Sequence, residues 1–83
     1  MYVMTVTYNN SSDYICRSYE SLNDALEDLE REVKRELQWV EKDGGYTPTI
    51  KRHKDNDVTL IYAQDADEGQ GFSETYYKVM LAE

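Results

Sequence analysis

A two-layer α+β domain of order ββαβββ, one long helix packed on an antiparallel sheet, is predicted by three observations. Six apolar residues, Leu22, Leu26, Leu29, Val33, Leu37 and Val40, recur at steps of 4, 3, 4, 4 and 3, which places all of them on one stripe of a single helix. Five other runs carry Val, Thr, Ile and Tyr between polar turn clusters, as pleated, half-buried strands require. With 83 residues the chain buries only about 60% of its unfolded surface, and no repeat or linker divides it, so residues 1–83 form one domain with one core. One apolar stripe must find one sheet face to cover.

The first strand is Tyr2–Tyr8, and the polar cluster at residues 9–13 turns the chain into a second, Tyr14–Tyr19, making a hairpin. Ser21 is a helix N-cap with Asp24 three residues on, close to a capping box. Glu27 with Arg31 and Glu30 with Lys34 fall four apart, acid first, a spacing that contributes about 0.2 to 0.5 kcal/mol per pair. Gly44-Gly45 ends the helix by supplying a residue that tolerates positive φ. Residues 46–53 and 58–63 read as strands around the turn at 54–57. Pro48 cannot donate a ladder hydrogen bond, so the third strand lies at an edge or starts after it. Residues 65–71 form a loop. The last strand, residues 72–81, sets Tyr77, Val79 and Leu81 on one side against Tyr76, Lys78 and Met80 on the other.

The chain carries 17 Asp plus Glu against 9 Lys plus Arg, a formal net charge of −8. That balance argues against direct nucleic-acid binding, which needs a basic face to neutralise phosphates, and it favours a basic partner. Its distribution is uneven: residues 20–43 sum to −5 and residues 65–83 to −4, with Lys51-Arg52-His53-Lys54 as a short basic island between them. One cysteine excludes an internal disulfide framework, and no apolar run approaches a membrane span. The expected setting is a soluble protein in a reducing cytoplasm, with no membrane partner.

No residue pattern names a reaction. Cys16 and His53 are the only candidate nucleophile and base of their kind, and one of each carries no catalytic signature, so no catalytic residue and no cofactor is expected. Asp65, Asp67 and Glu68 stand beside two glycines as in a calcium loop. Gln70 occupies the place of the required Gly, however, and Tyr76 that of the bidentate Glu. Zinc would need more nitrogen and sulfur ligands than one His and one Cys supply, so no metal site is expected. Within a strand Lys51 and Arg52 point to opposite faces, and their charge suits an edge strand guarded against sheet-to-sheet aggregation.

The acidic helix carries the functional expectation. Residues 20–43 hold nine carboxylates, and spacing at 100° per residue puts Trp39 on the flank shared by Asp28, Glu32 and Glu36. A Trp bordered by carboxylates is an anchor for a basic surface. The competing expectation is that Trp39 wraps over the sheet edge and the acids form a solvated face.

In size, net charge, absence of catalytic residues and the stretches Glu27-Asp28-Leu29-Glu30 and Asp65-Ala66-Asp67-Glu68, the chain resembles the small acidic phage-encoded inhibitors that block host nucleic-acid enzymes, anti-CRISPR proteins and DNA mimics among them. The resemblance implies a non-enzymatic inhibitor acting in the host cytoplasm. It would occupy the nucleic-acid surface of a basic protein, such as a CRISPR effector or nuclease, through Asp28, Glu32, Glu36, Trp39, Asp65, Asp67 and Glu68. An immunity or antitoxin-like protein that neutralises a basic toxin would use the same physics. A third possibility is a self-associating protein that buries a Tyr-rich sheet face with Tyr76, Met80 and Tyr62, so the expected state is monomer or homodimer.

Overall fold

A computed structural model describes residues 1–9, 12, 14–62 and 73–82. The elements are β1 (Tyr2–Tyr8), β2 (Tyr14–Tyr19), α1 (Leu22–Gly44), β3 (Thr49–Lys54), β4 (Asp57–Ile61) and β5 (Glu74–Leu81). The five strands form one antiparallel sheet of order β2-β1-β5-β4-β3, and α1 packs on one face of it. This is the α+β arrangement of one helix on a five-stranded antiparallel sheet. Among the described residues, no helix is long and apolar enough to cross a membrane.

Register assigns each side chain to a face. Met4 pairs with Val79, Val6 with Tyr77, and Tyr77 in turn with Val58, so these residues share the side covered by α1. Together with Leu60 they meet Ala25, Leu29 and Val33 of the helix in one buried cluster. The opposite face carries Thr5, Thr7, Cys16, Thr59, Tyr76, Lys78 and Met80, a mixed surface typical of an antiparallel sheet with one solvated side. Tyr62 departs from the sequence expectation. Two residues beyond Leu60, it turns to the helix side, where its hydroxyl donates to Glu36, so it does not belong to the open face.

The helix starts as Ser21 predicts, with the Asp24 amide donating to Ser21 Oγ at 3.3 Å. It stops where Gly45 adopts the left-handed conformation at φ 71°. Its ion pairs differ from the expected i,i+4 set. Arg31 bonds Asp28 Oδ1 at 3.0 Å, Glu27 accepts from Asn23, and Glu30 accepts both guanidinium arms of Arg52 in β3 at 2.5 and 2.9 Å. A strand-borne guanidinium offers a carboxylate two parallel bonds, which a flexible Lys one helical turn away cannot match. The third strand starts after Pro48, which leaves the missing N–H outside the ladder, and it takes the sheet edge.

Candidate functional site

The carboxylate flank of α1 is positioned by β2. Arg17 lies on the same side of the sheet as Ile15 and Tyr19, and its Nη1 reaches Glu32 at 2.9 Å and Asp28 at 3.2 Å. Tyr19 also donates its hydroxyl to Asp28, and Arg31 approaches the other carboxylate oxygen. Asp28 is consequently only 7% exposed, and Glu32 is shared between Arg17 and Arg35, the latter at 3.6 Å. Hydrogen bonds from the Arg17 guanidinium to Glu32, then to Asp28, hold it above its ordinary value. These two carboxylates clamp the helix to the β2 edge, and their charge is met within the fold.

Glu36 sits one turn further along, on the sheet side of the helix, and accepts from the Tyr62 hydroxyl at 2.9 Å; that hydroxyl also meets Thr75 Oγ1 at 2.8 Å. Burial pushes the Tyr62 phenol well above its ordinary value, the Thr75 bond works against that shift, and the neighbouring Glu36 carboxylate adds to it. Burial does the same to Tyr77, reinforced by Tyr62 and Glu36.

The unfolded chain ionises its tyrosines near pH 10 whereas the folded chain keeps these two neutral. The stability they contribute is present below pH 10 and is lost as pH climbs toward their folded values. In an alkaline titration from about pH 9 to 12, two phenols should ionise last by absorbance near 295 nm, together with the loss of circular dichroism. All tyrosines titrating early in an intact fold would contradict the buried placement.

Glu36 also marks where the sheet stops. Thr75 and Tyr62 stand at the end where β4 leaves and β5 enters, and α1 runs eight residues, about 12 Å, past Glu36; Leu37 still packs on the core and Val40 is buried, so the overhang is the outward face of this last stretch. On this overhang Trp39 is 60% exposed and, with Arg35 and Glu36, lines a shallow recess of about 310 Å³. Glu41 and Asp43 follow on the next turn, both exposed. Among the described residues neither forms an ion pair, and Glu41 accepts only from Thr47 at 2.8 Å. The structure thus brings Asp28, Glu32, Glu36 and Trp39 onto one flank, divided into a clamped half and an open half. Asp65, Asp67 and Glu68 lie outside the described residues. The chain that holds them leaves the sheet at Tyr62 and returns at Ser73, which are joined by a 2.9 Å backbone bond at this same end.

Arg17 and Tyr19 are the residues that sequence reasoning missed. The signal for them was the alternation of β2, which sets Arg17 on the side of Ile15 and Tyr19. Cys16 and His53 occupy opposite edge strands, four strand spacings or about 19 Å apart, too far for a nucleophile–base pair. His53 instead meets Thr59 Oγ1 at 3.2 Å. Among the described residues, no group of three or more His, Cys, Asp or Glu could hold a metal ion. No family model, no curated protein and no solved structure matches the chain.

Proposed function

We propose that the protein is a non-enzymatic inhibitor that binds a basic, nucleic-acid-handling protein, such as a CRISPR effector or a nuclease, and covers the surface on which it holds nucleic acid. What carries this function is the overhanging end of α1. An exposed Trp39 sits beside Glu36, with Glu41 and Asp43 uncompensated on the next turn among the described residues. A large aromatic anchor supplies contact area, and the carboxylates of this helix end supply attraction to cations and faster encounter. Asp28 and Glu32 serve by fixing the helix against β2, and Asp65, Asp67 and Glu68 extend the acidic character from the segment between Tyr62 and Ser73.

Reversing Glu41, Asp43, Asp67 and Glu68 to Lys should abolish binding to a basic nucleic-acid-handling target. The fold should stay intact, because cations at a helix C-terminus favour its dipole. Binding by the parent protein should also weaken as salt rises. Undiminished binding by the reversed variant would sink the proposal.

Self-association through the open sheet face is a second reading, favoured by Tyr14 and Met80, which are 70% and 49% exposed there. A light-scattering mass that stays monomeric at high concentration would eliminate it.

A further inference from the structure

Between α1 and the edge strand β3 runs a groove of about 710 Å³ with Leu26, Val33 and Leu37 along its helix wall, Glu27 and Glu30 beside them, and Arg52 at its strand side. It exists because α1 packs mainly over β2, β1 and β5, so the helix layer thins out toward β3. Ile50 shares the Arg52 side of the strand, since Ile50 pairs with Leu60 and Arg52 with Val58, and it is 37% exposed. All six residues of β3 are exposed, and among the described residues no strand pairs with its outer side. A register shift between Arg52 and Lys54 breaks the ladder at the far end, which leaves Thr49 to Arg52 as the regular stretch.

We propose that β3 receives an extended acidic segment of a partner protein, which adds to the sheet as a sixth strand. The backbone of such a segment pairs with residues 49–52, and its alternate side chains fall on the two sides of the sheet. Those beside Ile50 enter the groove against Leu26 and Leu37 and should be apolar. Those on the other side stand next to Lys51 and should be acidic. Arg52 is held by Glu30, and charge from Lys51 and Lys54 selects the occupant: they repel a second copy of β3, and the other edge strand, β2, brings Arg17 and no carboxylate. The same cations that guard this edge against self-pairing therefore admit an acidic strand. Trp39, Glu41 and Asp43 take no part, so this surface stands or falls separately from the inhibitor site.

The test uses the full chain labelled for amide spectroscopy and an acetylated hexapeptide that alternates Val and Glu. Chemical shifts should move at residues 49–52, and hydrogen exchange of the newly paired amides should slow. A hexapeptide alternating Val and Lys should bind about tenfold more weakly, and Lys51→Glu, an exposed change, should reverse that order. Methylating alternate peptide nitrogens on the paired edge should abolish binding, because main-chain pairing supplies the affinity. The proposal is overturned by shifts that cluster away from β3, by equal binding of the two peptides, or by no shift at about 1 mM peptide.

Discussion

Truncating Leu29 to Ala is expected to lower the unfolding free energy by about 3 kcal/mol, within the range of about 2 to 5 for Leu→Ala at a buried site. Leu29 has no exposed surface and belongs to the cluster that joins the helix stripe to Met4, Val79 and Tyr77 of the sheet. The neighbouring strands are held by their ladders and the helix by its ion pairs to β2 and β3, so the vacated space cannot close by a simple shift. A domain of this size has roughly 4 to 12 kcal/mol of total stability, so the loss should shift the urea midpoint clearly. Leu22→Ala, at a position 43% exposed on the same stripe, should change stability by less than about 0.5 kcal/mol. A Leu29→Ala loss no larger than the Leu22→Ala loss would mean that the helix does not press on the sheet as described.

Trp39→Ala should leave stability almost untouched and weaken binding to the basic target by about 2 to 4 kcal/mol, roughly 30-fold to 1,000-fold. The separation of the two effects follows from placement. Trp39 is mostly exposed and lies outside the buried cluster, so its removal opens no core cavity. At an interface it would be the largest apolar surface on the overhang, and its flanking carboxylates would exchange water for cations around it. Trp39→Phe should recover part of the loss. Titration calorimetry with the target and thermal unfolding of the free variants measure the two quantities independently. A destabilised variant with normal affinity would reverse the assignment and make Trp39 a packing residue.

The contrast between these two positions explains what the sequence made legible. Helical spacing is a local property, so Leu29 and Val33 could be placed on the buried stripe and Trp39 off it before any tertiary contact was known. The polar neighbourhood of that stripe was harder to read, because a carboxylate at a given helical angle looks the same whether it meets water or a guanidinium. Angle alone places Asp28 and Glu32 on the Trp39 flank. That Arg17 would reach across from β2 depends on which strand lies beneath them, a long-range fact. The same limit applies to Glu30, whose expected local partner Lys34 is replaced by Arg52, 22 positions away. Tyr62 lies on the helix side, where alternation from Val58 and Leu60 puts it; its bond to Glu36 across the layers is the long-range part.

The place of β5 in the sheet has a consequence for how the molecule comes into being. β1 with β2 and β3 with β4 are hairpins of adjacent segments, and β5 is the strand that joins them, pairing with β1 on one side and β4 on the other. Glu74 begins it, so a nascent chain emerging from the ribosome carries both hairpins and the whole of α1 before their common neighbour exists. Until then the apolar stripe of α1 lacks Tyr77 and Val79, and β1 and β4 each present an unpaired inner edge. At about 5 to 20 residues per second, translating β5 takes about a second. The sheet therefore cannot assemble until β5 has been made, with both halves waiting on one strand.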